Sequence, residues 1–371
     1  MDATLLTDPG FWVAPQPYAV GRFLGTIPRD AGLDGQVLFE TSGSSGTPRW
    51  IALSKQALLI SAAAVNRHLQ VSDTSCWGVA LPLHHVGGFG VVARAFEAAC
   101  RIQQFSNRWQ APAFKAWLVR HAVTHTSLVP AQVHDLVVGG ITAPPSLVAI
   151  VVGGGRLEES TGQAARQLGW PVLASYGMTE AGSQIATQGL ESLESPYHPA
   201  PLPILPIWQT RISPDGQLSI AGPALFSGSL AREHAGWNFL PRTDAWYLTA
   251  DRADLANGQL TPRGRVDAMV KVLGELVDPA VIEDELLALA NGALMPGSFA
   301  IAAVVDARVG HRLVPVFEAS VVPALVAAIL RAYQTQAPGF RRLQAPVVVN
   351  RLPRSPLGKL RRADLAESLG K

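Results

Sequence analysis

Cysteine is nearly absent from this chain, and so are long apolar runs and an excess of charge of either sign. Its 371 residues include only Cys76 and Cys100, which form neither a metal-binding spacing nor a disulfide framework. No apolar run approaches the roughly 18 residues of a membrane-spanning helix, so no membrane span is expected. The formal net charge is +2, which gives no electrostatic reason to expect a nucleic-acid partner.

The composition also argues against disorder and secretion. Charged residues make up only 16% and apolar residues 48%, so a substantial core can be buried. The first four residues carry no basic flank before an apolar run, so no secretory signal is expected. Together with the scarcity of cysteine, this predicts a cytoplasmic protein. The length suits a large domain with a smaller one.

The most informative stretch runs from Thr41 to Arg49 and reads Thr-Ser-Gly-Ser-Ser-Gly-Thr-Pro-Arg. Its glycines let backbone N–H groups approach an anion, and its hydroxyls and arginine can donate to phosphate oxygens. It follows an apolar strand signal at Val37–Phe39, and a strand that feeds such a loop often holds phosphates. The spacing matches neither a P-loop nor a dinucleotide fingerprint, and the alternative is a flexible polar linker.

Apolar runs and amphipathic stretches alternate along the next part of the chain, which predicts an α/β domain with largely parallel sheets. The expected helices cover residues 54–69, capped by Ser54, and 109–119. The expected strands cover residues 79–81, 127–129, 147–152 and 171–174. From 201 to 250 Pro and Gly are frequent and helical periodicity is lost, which predicts short antiparallel strands.

A boundary is predicted near Gly264–Asp267, which divides the chain into a domain of residues 1–265 and a second domain of residues 266–371. Asp278 and Pro279 form a helix start, with the carboxylate as cap and the proline in the first turn. A strand at 269–273, strands near 299–305, 312–319 and 346–350, and a helix over 323–336 complete a compact α+β unit.

Further motifs follow the polar loop in a fixed order. They are Tyr176-Gly177-Met178-Thr179-Glu180, Tyr247-Leu248-Thr249-Ala250-Asp251, Gly264-Arg265-Val266-Asp267, the set Lys271, Gly274-Glu275, Pro279 and Glu283, and Pro353-Arg354-Ser355-Pro356-Leu357-Gly358-Lys359. In this order and spacing the chain resembles the adenylate-forming superfamily of acyl-CoA synthetases, peptide-synthetase adenylation domains and luciferases. The resemblance extends from about Val37 onward. It implies a large domain of stacked mixed and parallel sheets with helices, and a small hinged α+β domain.

The resemblance also implies an activity and its co-substrates. A carboxylate would attack ATP to give an acyl-adenylate and pyrophosphate with Mg²⁺ present, and CoA would then take the acyl group as a thioester. The implied nucleotide-binding residues are Thr41, Ser42, Gly43, Ser44, Ser45, Gly46, Thr47, Arg49, Gly153, Gly154, Gly155, Tyr176, Gly177, Met178, Asp251 and Arg265. Without it, the glycines read as a tight turn, the Tyr-Gly-Met-Thr-Glu stretch as a helix-capping turn and Arg265 as an exposed charge.

The implied catalytic residues are Lys359, Thr179, Glu180 and His85. Lys359 would stabilise charge on the reacting phosphate, and Glu180 would help to hold Mg²⁺. Asp267 matches the hinge position of the family, and Gly274 with Glu275 matches the face that closes a CoA channel. The alternatives are a solvated basic tail for Lys359 and an ordinary turn for Asp267.

The acid is indicated by two stretches, Leu83-His84-His85-Val86-Gly87-Gly88 and Val123–Gln132. The first lacks the carboxylate that pairs with an amino acid in peptide synthetases, which disfavours such a substrate. The second is most similar to o-succinylbenzoate–CoA ligases of menaquinone biosynthesis, whose substrate is a dicarboxylate. The expected pocket residues are His85, Arg94 and Ser127, although His85 could be a structural core residue and Arg94 a surface residue.

One departure from the superfamily is large. The phosphate loop begins at residue 41, so the sequence predicts a shortened N-terminal region. This keeps two alternatives open, an adenylating enzyme that loads a carrier protein or other acceptor, and a non-catalytic nucleotide-binding protein. The expected partners are the small-molecule acid, ATP and CoA, and a homodimer is the candidate assembly.

Overall fold

The computed structural model describes residues 2–21, 27, 32–42, 48–233, 236–355, 358 and 360–370, with the backbone alone at 42, 48, 232, 233 and 267. The chain divides into two compact units, Met1–Thr249 with Asp254–Pro262, and Ala250–Ala253 with Arg263–Lys371. The predicted domain division between residues 265 and 266 stays a prediction. The predicted α/β class is confirmed, since helices alternate along the chain with strands that form several sheets.

The helices are numbered in chain order. They are α1 (Pro9–Val13), α2 (Lys55–His68), α3 (Val86–Glu97), α4 (Ala111–His121), α5 (Pro130–Val138), α6 (Glu159–Gln167), α7 (Pro279–Ala290), α8 (Pro323–Gln336) and α9 (Arg362–Leu369). The predicted caps are in place, because Ser54 Oγ accepts from the backbone N–H of Ala57 at 3.0 Å and Asp278 Oδ1 from that of Ala280 at 2.9 Å. No helix among the described residues has both the length and the apolar run needed to cross a bilayer.

A six-stranded sheet is the centre of the first unit. Its strands are β4 (Cys76–Val79), β5 (Arg101–Gln104), β6 (His125–Leu128), β7 (Ala149–Val152), β8 (Val172–Met178) and β9 (Ser183–Thr187), in the order β5-β4-β6-β7-β8-β9. The first five pair in parallel, as predicted, and β9 is antiparallel to β8. Every residue of β4, β6 and β7 is buried, as expected for parallel strands covered on both faces.

Two further sheets include strands of this unit. One has the order β1-β2-β3-β13-β14, with β1 (Tyr18–Val20), β2 (Gln36–Ser42), β3 (Pro48–Ser54), β13 (Gly228–Glu233) and β14 (Gly236–Pro241). The other has the order β10-β16-β15-β12-β11, with β10 (Leu202–Pro203), β11 (Gln209–Ile212), β12 (Gln217–Ala221), β15 (Tyr247–Ala256) and β16 (Gln259–Arg265). The antiparallel strands predicted from residue 201 onward are present, and β13 pairs both with its sequence neighbour β14 and with the distant β3.

In the second unit α7 and α8 share one core with a single sheet, and Leu365 of α9 packs on that sheet in a separate cluster. Its strands are β17 (Val270–Val272), β18 (Glu275–Val277), β19 (Phe299–Asp306), β20 (Gly310–Glu318) and β21 (Val347–Val349). They have the order β18-β17-β20-β19, and β21 pairs with β20 in parallel. Apolar side chains of α7 and α8, Ile282 and Ile329 among them, share a core with the stacked rings of Phe299 and Phe317. The predicted α+β arrangement is therefore present.

His125 of β6 links the stability of the first unit to pH. Its side chain is 2% exposed, and burial lowers its pKa from 6.5 to about 4. Between pH 6.5 and pH 4 this histidine is protonated in the unfolded chain but neutral in the native state. The unfolding free energy should therefore fall by up to about 3 kcal/mol over that range. Denaturant unfolding of the wild type and of His125→Gln at pH 7 and pH 5 measures this, and equal losses in both proteins would contradict it.

Candidate active site

The predicted phosphate loop joins two strands of a hairpin. Strands β2 and β3 pair from Gln36 opposite Ser54 to Ser42 opposite Pro48. Thr41 Oγ1 donates to the carbonyl oxygen of Arg49 at 3.1 Å, close to the open end of the ladder. Residues Gly43, Ser44, Ser45, Gly46 and Thr47 lie outside the described residues. The flanking ladder ties both ends of this loop to one sheet, which a flexible linker would not require.

Arg49 leaves the same hairpin and contacts the neighbouring strand. Its Nη2 donates to Ser229 Oγ of β13 at 2.7 Å. The Arg49 side chain is exposed, and its contact is neutral, so the positive charge stays available for an anion near the loop.

The glycines Gly153 to Gly155 follow β7 at the carboxyl end of the parallel sheet, where α/β proteins bind ligands. Gly154 has φ +76°, a conformation that L side chains rarely adopt. A Cβ at Gly153 would meet no atom within 4 Å, so its lack of a side chain is not explained by packing among the described residues. A tight turn accounts for Gly154, and none of the described residues fills the space beside Gly153.

Residues Tyr176 to Glu180 form the end of β8 and a 3-10 turn over Thr179–Ala181, not the start of a long helix. The pairing of β8 with β9 shifts register between Tyr176 and Gly177. A Cβ on Gly177 would lie 1.7 Å from the carbonyl oxygen of Ser183, so glycine is required there. This close approach gives the segment its geometry and places Tyr176, Met178, Thr179 and Glu180 half-buried at one hairpin end.

Arg94 of α3 is the main charged group in the interior of the first unit. It is 2% exposed, so the surface alternative is wrong. Its Nη1 donates to Ser127 Oγ of β6 at 3.2 Å and its Nη2 to Ser183 Oγ of β9 at 2.9 Å. Burial lowers the pKa of Arg94 to about 9, which leaves the guanidinium charged at neutral pH. In the described part of the chain, no carboxylate forms an ion pair with it.

Ser183 belongs to this site and was not predicted. It is the first residue of β9 and has φ +135°, an unusual value for a residue other than glycine. The close approach of Gly177 to its carbonyl fixes its backbone, and its hydroxyl accepts from Arg94. Such a conformation depends on the β8–β9 register shift, so a local sequence pattern gives no signal for it.

His85 lies directly before α3, and its ring is 4.3 Å from that of His84 between centroids. Burial, aided by His84, lowers the pKa of His85 from 6.5 to about 4, so the imidazole is neutral at pH 7. Its Nε2 is buried and has no hydrogen-bond partner among the described residues. A structural core histidine would satisfy this nitrogen, whereas a pocket residue can use it for a ligand.

In the second unit, the predicted ribose ligand Asp251 pairs with Arg265. Arg265 Nη1 lies 3.2 Å from Asp251 Oδ1, and the carboxylate is far less exposed than the arginine. The structure therefore brings together two residues that the sequence assigned separately to the nucleotide.

The positions predicted for a hinge and a CoA channel also lie in this unit. Asp267 is in a 3-10 turn over Val266–Ala268. Leu273 and Gly274 connect β17 to β18 with φ values of +54° and +88°, as in a two-residue hairpin turn. Leu273 adopts the left-handed conformation although it is not glycine, and it is 59% exposed. The turn therefore forms with a single glycine.

Lys359 lies outside the described residues, but described residues before and after it are held by hydrogen bonds. Arg354 and Leu360 form an antiparallel bridge, and Arg354 Nη1 donates to the carbonyl oxygen of Gly358 at 2.7 Å. Arg362 forms two hydrogen bonds of 2.6 and 2.7 Å with the Glu283 carboxylate of α7. The segment after Lys359 is therefore anchored to the unit, unlike a solvated basic tail.

Glu180 is predicted to help to hold Mg²⁺, and a half-buried carboxylate is a ligand type that suits this ion. Tyr247 donates its hydroxyl to Glu180 Oε1 at 3.4 Å, a long hydrogen bond that leaves the carboxylate oxygens able to bind a cation. Within the described ranges no three His, Cys, Asp or Glu side chains are placed to hold a metal. A cation here would take its other oxygens from a nucleotide and water, as Mg²⁺ commonly does.

Known proteins resemble this chain in sequence and in structure. A family model described as AMP-binding enzyme matches residues 34–229. The 2-succinylbenzoate–CoA ligase of Escherichia coli (strain K12) is 31% identical over 283 residues, which are 75% of this chain and 57% of that protein. The enzyme of the same name from Bacillus cytotoxicus is 28% identical over 266 residues, 68% of this chain and 54% of that protein. The chain thus spans little more than half the length of these curated relatives.

Solved structures share the fold. The o-succinylbenzoate CoA synthetase (MenE) of Bacillus subtilis, in complex with the acyl-adenylate intermediate OSB-AMP, has a TM-score of 0.73 at 25% identity, over 89% of this chain and 68% of that one. An arginine-to-lysine variant of Escherichia coli MenE with bound OSB-AMS has a TM-score of 0.72 at 24% identity, over 94% and 71%. The matched family model covers more than half of the chain, including the loop hairpin and Arg94. The chain belongs to the AMP-binding enzyme family.

Proposed function

We propose that this chain is an ATP-dependent acid–CoA ligase that activates o-succinylbenzoate for menaquinone biosynthesis. The similarity to proteins named 2-succinylbenzoate–CoA ligase supports the reaction. The buried guanidinium of Arg94 is the observation that supports the acid.

A buried cation without a counter-charge is costly, and a carboxylate ligand would relieve that cost. Ser127 and Ser183 occupy two of the five N–H donors of the Arg94 guanidinium. The remaining donors suit a carboxylate, which accepts a forked pair of hydrogen bonds. A dicarboxylate can therefore leave one carboxylate on Arg94 and present the other for reaction.

His85 would complete the acid pocket as a neutral hydrogen-bonding group. Its Nε2 has no partner in the described structure, and its lowered pKa keeps it uncharged at neutral pH. A neutral imidazole can donate to or accept from the acid without competing with Arg94 for the carboxylate.

In the first step, an oxygen of the acid forms a bond to the α-phosphorus of ATP while the bond to the bridging oxygen breaks and pyrophosphate leaves. The chain's own contributions are donors around the phosphates from Thr41 to Arg49, the hydroxyl of Thr179, and the cation of Lys359. Glu180 would hold Mg²⁺, which when bound neutralises phosphate charge. Asp251 would bind the ribose hydroxyls, and Tyr176 and Gly153 would line the adenine.

In the second step, the thiol sulfur of CoA attacks the acyl carbon and AMP leaves with the bonding electrons, while the thiol proton passes to solvent. Family resemblance assigns Gly274 to the thiol channel and Asp267 to the pivot between the two steps. The two-domain organisation with a division at residue 265 belongs to this proposal.

Pyrophosphate release tests the proposal directly. The protein is given ATP, Mg²⁺ and o-succinylbenzoate, with and without CoA, and the product is identified by mass. Thioester formation supports the ligase and its acid together. Adenylate without turnover on CoA would favour another acceptor such as a carrier protein. No pyrophosphate with this or other aryl and acyl acids would favour a non-catalytic nucleotide-binding protein.

Replacing Asp267 with proline should separate the two steps. Proline fixes φ and removes a backbone donor within the 3-10 turn, so thioester formation should slow about tenfold or more while adenylation keeps its rate. Single-turnover assays of each half-reaction measure this. Asp267→Ala, which leaves φ free, is the control. Unchanged thioester kinetics in the proline variant would remove Asp267 from the hinge.

A cytoplasmic location and a homodimer complete the proposal. Both cysteines are free thiols, Cys76 buried and Cys100 half-buried, which supports a reducing compartment. The homodimer stays a prediction that sedimentation can check.

A further inference from the structure

Asn66 is a buried polar residue on α2 that has no role in the proposed function. It is 4% exposed, and its side-chain amide contacts two neighbouring elements. Its Nδ2 donates to the carbonyl oxygen of Arg94 at 2.8 Å and to Glu97 Oε2 at 2.7 Å, both on α3. Its Oδ1 accepts from Trp77 Nε1 of β4 at 3.3 Å. One amide therefore joins α2, α3 and β4.

These contacts hold Arg94 at two points. Asn66 binds the backbone carbonyl of Arg94 directly. It also orients the indole of Trp77, and the guanidinium of Arg94 lies over that ring with its central carbon 5.2 Å from the centroid. The backbone and the charged end of the arginine thus depend on one neighbouring side chain.

The carbonyl of Arg94 accepts a second hydrogen bond, so an effect of Asn66 on the position of Arg94 can be distinguished from an effect on the folding of α3. The backbone N–H of Ala98 donates to it at 3.0 Å as the closing bond of α3. Without Asn66 the carbonyl would therefore stay paired and the helix would keep its end. What would be lost are the hydrogen bonds from Asn66 of α2 to the Arg94 carbonyl and the Glu97 carboxylate of α3, and with them a constraint on the position of the guanidinium.

We propose that Asn66 is a positioning residue that sets the preference for a dicarboxylate by fixing Arg94. This inference rests on the proposed function, in which Arg94 binds the second carboxylate. Ser127 and Ser183 fix the far end of the guanidinium, so a small shift of α3 would misalign the donors that face the acid. Alignment errors of about 1 Å can lower rates about a hundredfold.

The test is a comparison of acid preference, defined as kcat/KM for o-succinylbenzoate divided by kcat/KM for benzoylpropionate, which lacks the ring carboxylate. Asn66→Leu keeps the number and branching of the side-chain heavy atoms and removes every hydrogen bond of the amide. Acid preference should fall about tenfold, through a higher KM for the dicarboxylate, while kcat with benzoylpropionate changes less than about twofold. Asn66→Ser is assayed beside it in case the leucine variant fails to fold.

Ser54→Ala is the matched control on the same helix. Ser54 caps α2 but does not contact Arg94, so its loss should lower the melting temperature without changing acid preference. An equal fall of acid preference in Ser54→Ala and Asn66→Leu would overturn the inference, because both would then reflect the stability of α2.

Arg94→Ala separates this inference from the proposed function. If the wild type prefers the dicarboxylate and Arg94→Ala abolishes the preference, the proposed acid pocket stands. A full preference in a folded Asn66→Leu or Asn66→Ser protein would then overturn the role of Asn66 alone. A wild type without preference would overturn the acid pocket and the inference with it.

Discussion

Replacing Lys359 with alanine should lower the rate of adenylate formation about a thousandfold, the largest effect expected in this chain. In the proposed first step, negative charge grows on the oxygens around the α-phosphorus, and a cation placed there would stabilise the transition state more than the ground state. A supplied acyl-adenylate should still react with CoA at nearly the wild-type rate, because that step does not need this charge. Pyrophosphate release and thioester formation are measured separately.

Arg361→Ala is the control for Lys359. Arg361 is close in sequence, is largely exposed, and pairs with Asp364 at 3.1 Å. Exposed pairs of this kind contribute little, so both half-reactions should stay within about twofold of wild type. Equal losses of both half-reactions in Lys359→Ala would contradict a role confined to adenylation.

Arg94→Ala should have the second largest effect, and it should depend on the acid. Hydrogen bonds to a charged group contribute about 1.5–3 kcal/mol, so kcat/KM for o-succinylbenzoate should fall about ten- to a hundredfold. The value for benzoylpropionate should change little, since that acid has no second carboxylate. Steady-state kinetics with both acids, and calorimetric binding of each acid, measure the difference.

Arg94→Lys tests the geometry of the same site. Lysine keeps the charge but cannot donate to Ser127 and Ser183 through a planar fork, so it should restore only part of the acid preference. In Arg94→Ala the hydroxyls of Ser127 and Ser183 lose their hydrogen-bond donor, which can lower stability. Melting temperatures of both variants therefore show whether a change in acid preference reflects unfolding. Equal effects on both acids in the alanine variant would remove Arg94 from the acid pocket.

The sequence was most informative where local chemistry decides structure. Ser54 and Asp278 cap the helices they were expected to cap, because a short side-chain acceptor before an apolar repeat has little other use. The buried runs of β6 and β7 were recognised as parallel strands, although their ends differ by a residue or two from the prediction. Arg94 and Ser127 were each predicted as acid-pocket residues, and the structure brings them within hydrogen-bond distance of each other.

The sequence was least informative where contacts join distant segments. Ser183 depends on a register shift that Gly177 permits, and no local pattern encodes it. Asn66 comes directly after Val65 in α2, and a polar residue of an amphipathic helix is normally predicted to face solvent. Here it is buried and hydrogen-bonded to Arg94 and Trp77. Strand β13 pairs with β3, which lies far earlier in the sequence. Turn and strand propensities do not specify such a long-range pairing.

The β8–β9 hairpin has a consequence for how such an enzyme can change during evolution. Its first strand carries Tyr176 on the proposed nucleotide side, and its second begins with Ser183 on the proposed acid side, with Gly177 pressed against the Ser183 carbonyl between them. A heritable change in this hairpin would disturb both ligands at once. If the proposed function holds, new acid specificities are therefore more accessible through α3 and β6, which would line the acid pocket without carrying the residues assigned to the nucleotide.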